Sequence, residues 1–208
     1  LCSEEYYKQH NKKAHRPPVR IAGSVISVSG AEDATYDPLA MQVVIKGAKD
    51  AYEMAGVDPR KDIDMVELHD AFSGEELAAY EMLGLCEPGE GVAFARSRAV
   101  ELGGRCPVNP SGGLLSMGHP LGASGVRVVN DIARQLWGEA GENQVEGARV
   151  GLAQMLGGVL TGIESPVAGI RIGIGPDIGK HQVNIGRLII PVTALRVDGQ
   201  RNGPCFDG

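Results

Sequence analysis

The chain has 208 residues, 43% of them hydrophobic, and a formal net charge of −6 at pH 7. That length and apolar content suffice for one compact domain with extensions and exclude a mostly disordered chain, and the acidic balance gives no footprint for nucleic acid. Basic residues gather only at Lys12, Lys13, His15 and Arg16, a patch that suits a solvated loop better than an anion site.

Leu1 to Arg16 is polar and charged after its first two residues and reads as a short helix or connector, ended by Pro17-Pro18. Val19 to Ser29 mixes β-branched and small residues in the manner of a strand. Asp37-Pro38 is predicted to open a helix, because Leu39, Val43, Val44, Gly47, Ala51 and Met54 follow at helical spacing to a stop near Gly56. Ile63 to Leu68 is a short apolar run expected as a largely buried strand, and it delivers His69-Asp70-Ala71-Phe72. Ser73 with Glu76 has the form of a capping box, with Phe72 and Leu77 as its hydrophobic staple, on a helix to about Gly84.

Glu87 to Arg105 reads as loop with a helical turn. The stretch from Val108 to Gly125 then holds five glycines, two prolines and His119, and it is predicted to be a tight loop docked on a helix that begins near Val126 and stops at Gly138. Ala148 to Met155 and Val159 to Ile163 are predicted as two strands around a Gly157-Gly158 turn with Leu156 at the bend. Beyond Pro166 glycines punctuate Ile- and Val-containing fragments without a motif, and 187–190 is the best strand candidate.

The four cysteines, Cys2, Cys86, Cys106 and Cys205, form no CxxC pair and no dense framework, which points to a reducing, cytoplasmic setting. No apolar run approaches the roughly 18 residues of a membrane span, and the N-terminus lacks the basic-then-apolar order of a signal peptide. The chain starts on Leu1 and reads as part of something longer.

Three segments are candidates for one site, since each lies at a strand end or turn: His69, His119 in the glycine-rich loop, and Gly157-Gly158. A loop as conformationally demanding as Gly118-His119-Pro120 is rarely built to display an idle imidazole. Metal binding is not expected, because His10, His15, His69, His119 and His181 show no ligand spacing. A phosphate at the start of the following helix is open on general grounds, but neither GxGxxG nor GxxxxGK[ST] is present.

Asn109-Pro110-Ser111-Gly112-Gly113, Gly118 to Gly125 as GHPLGASG, and Gly151 to Gly158 as GLAQMLGG resemble the C-terminal half of thiolases. His69-Asp70-Ala71-Phe72 and Tyr80-Glu81-Met82-Leu83-Gly84 resemble the sterol-carrier-type branch of that family. The resemblance implies an α/β fold with a mixed five-stranded sheet and covering helices over 17–170. Residues 1–16 would be the end of a preceding domain and a connector, with 1–5 its last strand, and 171–208 an atypical tail.

The implied activity is acyl transfer between coenzyme A and an enzyme cysteine, with cleavage or formation of a 3-oxoacyl-CoA. His119 matches the histidine that activates the nucleophilic cysteine, and His69 the group that completes an oxyanion site. Asn109, Gly112, Gly113, Gly118, Gly157 and Gly158 match the loops around the substrate. The resemblance also implies a coenzyme A thioester as substrate, no separate cofactor or metal, and a homo-oligomer.

Two positions depart from the pattern. The nucleophilic cysteine belongs to the N-terminal half, and the second cysteine's positions read Met155 and Ala71. Three readings follow: part of a full-length enzyme, a subunit completed in cis or in trans by the other half, or a thiolase-like retro-aldolase working beside a small acyl-CoA-binding subunit. In the last, Tyr36 or Tyr80 would serve as acid or base. A non-catalytic acyl-CoA-binding scaffold is the contrasting expectation.

Overall fold

The computed structural model describes residues 2–10, 16–28, 40–157 and 167–174, with backbone alone for 28 and 167–174. The elements run α1 (Glu4–His10), β1 (Arg20–Val28), α2 (Gln42–Ala55), β2 (Met65–Glu67), α3 (Ser73–Met82), α4 (Gly91–Arg96), α5 (Gly113–Met117), α6 (Leu121–Leu136), β3 (Val150–Gly157) and β4 (Val167–Ile174). The four strands form one mixed sheet in the order β1-β4-β3-β2. The β2–β3 pair is parallel, whereas β4 pairs antiparallel with both β1 and β3. A parallel bridge between Val66 and Val108 adds a fifth segment beside β2, closed by Val66 N–H to Pro107 and Asn109 N–H to Val66.

Alternation along the inner strands sorts the core onto two faces. Val66 and Leu152 join Val44, Ala48 and Ala51 of α2 and Ala79 and Met82 of α3 in one cluster. Their neighbours Met65 and Ala153 face the other way, onto Val128, Ile132 and Leu136 of α6. The sheet is therefore a middle layer between helices. A Cβ at Gly151 would lie 2.7 Å from Ile132 Cγ2, so glycine there sets how closely α6 sits on β3.

Several boundaries differ from the sequence expectation. Glu4 and Glu5 open α1 instead of ending a strand. The N-terminal connector is pinned downstream: the Arg16 guanidinium stacks over Trp137, pairs with Glu139, and Trp137 Nε1–H donates to the Pro17 carbonyl at 2.8 Å. Asp37-Pro38 and Tyr36 lie outside the described residues, and α2 begins at Gln42; its end at Gly56, φ 68°, is as expected.

The capping box does not form. Phe72 is the N-cap residue of α3, with no side-chain cap hydrogen bond; Glu76 instead accepts the Tyr80 hydroxyl, and Phe72 is 67% exposed, so no staple is buried. The predicted loop 108–125 contains α5, and α6 starts at Leu121, five residues before the predicted start near Val126, with Pro120 as its N-cap residue. The tight Gly157-Gly158 hairpin is also overturned. Leu156 and Gly157 remain in β3, paired with Ala168 and Val167. The segments 159–163 and 187–190 lie outside the described residues. β4 crosses the predicted boundary at 170, because backbone pairing on both sides makes 167–174 an inner strand despite its glycines.

Candidate active site

Two side-chain amides hold the chain where β2 ends. Asn109 Oδ1 accepts the Leu68 N–H at 2.8 Å, and Gln154 Oε1 accepts the His69 N–H at 3.0 Å. Asn109 has φ 48°, a left-handed conformation that asparagine tolerates better than most residues. Backbone donors that run past the last ladder bond are thus satisfied, as buried N–H groups must be.

Below this point the 109–113 loop is tied to two buried carboxyl groups. Glu67, fully buried, accepts from Ser111 N–H at 3.1 Å and lies 2.7 Å from Ser111 Oγ. Burial pushes its carboxyl up to about 7, against the pull of the Ser111 bonds. Asp70, 2% exposed, accepts the Leu114 N–H at 2.6 Å at the start of α5. Gly113 is required at this crossing: its φ is 65° and a Cβ would stand 2.0 Å from Asp70 Oδ2.

With both segments anchored, the two predicted histidines meet. His69 Nε2 lies 3.2 Å from His119 Nε2, with the rings edge to face at 78°. The outer nitrogen of each ring is also held: His69 Nδ1 is 2.7 Å from Glu75 Oε1, and His119 Nδ1 is 2.8 Å from Ser124 Oγ. Burial and then the neighbouring His69 hold His119 below the usual imidazole range. His119 is accordingly neutral at pH 7, with one nitrogen able to accept a proton.

Asn109, Gly112, Gly113 and Gly118 all lie on the loop that carries His119, and Gly112 and Gly118 share the positive φ of Gly113, 99° and 80°. Gly157 ends β3, exposed and with no atom of the described residues within 4 Å of where a Cβ would sit; Gly158 and Tyr36 lie outside the described residues. Tyr80 does not join the dyad. It is 2% exposed, packed edge to face on Phe94 with its hydroxyl donated to Glu76, and burial followed by Glu76 pushes its phenol up. A phenol so enclosed and partnered packs as core.

Three supporting residues were missed in the sequence: Glu75, Ser124 and Gln154. Gln154 left a usable signal, a polar residue inside the apolar run Gly151 to Leu156. Glu75 left none, since an acidic residue in a first turn is ordinary. Phe72, Leu115, Met117, Leu121 and Val126, all on the segments that carry the two histidines, are exposed apolar side chains.

Comparison with known proteins decides the family. A family model for the thiolase C-terminal domain-like group matches residues 27–168. The chain belongs to the thiolase family. Over 159 residues this thiolase domain is 40% identical to the benzoylsuccinyl-CoA thiolase subunit BbsB of Thauera aromatica, covering 76% of the chain and 40% of that protein. It is 39% identical to sterol carrier protein 2 of Oryctolagus cuniculus, covering 76% of the chain and 29% of the relative. It is also 41% identical over 137 residues to an acetyl-CoA acetyltransferase of Methanothermobacter thermautotrophicus, covering 66% and 34%. The thiolase domain thus spans 40% or less of the length of these relatives. A solved structure of an Ltp2-ChsH2(DUF35) aldolase shares the fold with a TM-score of 0.64 at 23% identity, covering 78% of this chain and 41% of that one. No helix among the described residues is long and apolar enough to cross a membrane.

Proposed function

We propose that this thiolase domain supplies the histidine half of an acyl-CoA acyltransferase site, in which thioester exchange accompanies cleavage or formation of a C–C bond. The observation that carries the reading is the convergence of His69 and His119 at 3.2 Å with both outer nitrogens held. The substrate is a coenzyme A thioester, and the chemistry draws on no further cofactor. The nucleophilic cysteine comes from the N-terminal thiolase half, in cis or in trans. The exposed apolar side chains around the dyad support a second body packing there.

The chemistry follows from the two rings. Neutral His119 takes the proton of an incoming thiol, and the resulting thiolate attacks the thioester carbonyl. An N–H of the other imidazole donates to the oxygen on which negative charge develops, a contribution of roughly 2.7–4 kcal/mol in other enzymes. When the carbonyl re-forms, the leaving group departs and recovers the proton from His119.

A second reading is retro-aldol cleavage of a β-hydroxyacyl-CoA with a sterol side chain, beside a small acyl-CoA-binding subunit. The site's thiol inventory favours it. Ala71 and Met155 occupy the second-cysteine positions, and Cys86 and Cys106 are buried in the core with burial pushing both thiols up. A base would take the hydroxyl proton, the Cα–Cβ bond would break to release a carbonyl compound, and the acyl-CoA enolate would be protonated at Cα.

The test is His119→Ala in the assembled protein, with its N-terminal half or any co-purifying subunit. Turnover is expected to fall at least ~100-fold; activity within about threefold of wild type would sink the assignment. Iodoacetamide separates the two reactions, because acyl transfer needs an alkylatable cysteine and the retro-aldol route does not. Calorimetry with acetyl-CoA covers the contrasting class: binding without turnover identifies a non-catalytic scaffold.

A further inference from the structure

The dyad is the middle of a longer row. Glu75 Oε1 meets His69 Nδ1 at 2.7 Å, the two Nε2 atoms meet at 3.2 Å, His119 Nδ1 meets Ser124 Oγ at 2.8 Å, and Ser124 Oγ lies 3.2 Å from the Pro120 carbonyl. Both ends are acceptors, because a carboxylate and a carbonyl have no proton to give. The side chains of His69 and Glu75 are only 11% and 14% exposed, so water competes little for their bond.

Burial and the neighbouring ring keep His119 from carrying both protons, and counting protons along the row then leaves two arrangements. With His69 neutral, its Nδ1–H goes to Glu75 and its Nε2 is a lone pair. His119 must then donate Nε2–H to it, while Ser124 donates to His119 Nδ1. In that state His119 has no lone pair at the meeting point. With one more proton, His69 donates from both nitrogens, His119 accepts at Nε2, and its Nδ1–H goes to Ser124, whose hydroxyl turns to Pro120. In that state His119 is a base and His69 a charged donor, side by side.

We propose that Glu75 is the positioning residue of the dyad: it fixes His69 in the Nδ1–H form and stands as counter-charge when His69 carries both protons. When substrate takes the place of the ring-to-ring bond, His69 Nε2–H becomes a charge-assisted donor to a substrate oxygen, roughly twice as strong as a neutral one, and the freed His119 Nε2 receives the proton of the thiol or hydroxyl. The division of labour between two otherwise similar imidazoles is set by a carboxylate on the first turn of α3. Its consequence for turnover rests on the acyl-CoA reading above; the proton arrangement itself does not.

The test is imidazole ¹⁵N spectroscopy on the full 208-residue chain, with Glu75→Gln and Glu75→Leu; His69→Gln and His119→Gln samples assign the signals among the five histidines. His69 Nδ1 is expected to be protonated in the wild type, and neutral His69 to move to the Nε2–H form in Glu75→Leu. An unprotonated Nδ1 in the wild type, or a tautomer indifferent to Glu75→Leu, overturns the proposal. In the assembled protein Glu75→Gln, which keeps the shape and removes the charge, is expected to lower kcat about tenfold or more with KM within twofold. An unchanged kcat removes the counter-charge role. The expected spectra together with no acyl-CoA turnover in any assembly would uphold the role of Glu75 in the tautomer and reject the reaction proposed for the site.

Discussion

Gly113→Ala is the sharpest test of how the loop is held. The new Cβ would stand 2.0 Å from Asp70 Oδ2, 2.6 Å from its Cγ and 2.8 Å from Oδ1, so the carboxylate has to move. Asp70 is 2% exposed and holds the Leu114 N–H at 2.6 Å; moving it strands a buried charge and frees a helix donor. Losing a hydrogen bond to a charged group costs about 1.5–3 kcal/mol, and a side chain at a φ of 65° adds about 1–2 kcal/mol. The sum, about 2.5–5 kcal/mol, is a large fraction of a typical domain's stability. Gly138 is the control, with φ 73° and nothing within 4 Å of an added Cβ; Gly138→Ala should cost about 1–2 kcal/mol from backbone strain alone. Urea unfolding followed by circular dichroism gives both values. If the two alanines cost the same within about 0.5 kcal/mol, the Asp70 contact does not hold the loop.

Two further outcomes follow from the same region. Burial raises the Glu67 carboxyl from 4.5 to about 7, so the folded state binds that proton more tightly than the unfolded chain. Its stabilisation is complete below pH 4.5 and is lost as pH rises through about 7, on the order of 3 kcal/mol. Denaturation midpoints from pH 4 to 8 should fall across that window in the wild type and stay flatter in Glu67→Gln, and equal slopes would count against it. Ser124, fully buried, holds His119 Nδ1; Ser124→Ala should lower kcat roughly tenfold by releasing the ring while costing only about 1 kcal/mol of stability. A kcat within twofold of wild type would show that the serine does not orient His119.

Legibility in the sequence tracked the range of the interactions involved. The α2 stop at Gly56, the buried run ending in His69 and the glycine-rich approach to His119 rest on local chemistry: a left-handed cap, a short apolar strand, and positive φ at 112, 113 and 118. The order of the GHPLGASG and NPSGG motifs carried the family for the same reason, since close backbone approach can be met by few residue types. The capping box failed because Tyr80, one turn further along α3, took the Glu76 carboxylate, and a side chain with two suitors cannot be assigned from spacing alone. The early start of α6 and the long β3 were misjudged because glycines read as breakers are tolerated where tertiary contacts hold the segment.

What the sequence determined by itself was the set of special backbone positions and, through their motifs, the thiolase family and the two histidines. The tertiary structure alone decided that these imidazoles face each other, and which groups hold them. Glu75 is six residues from His69, Gln154 is 85 away and Asn109 is 41 from Leu68. None of these pairings has a local period to betray it. They exist because the parallel β2–β3 ladder and the Val66–Val108 bridge bring three distant segments to one edge of the sheet.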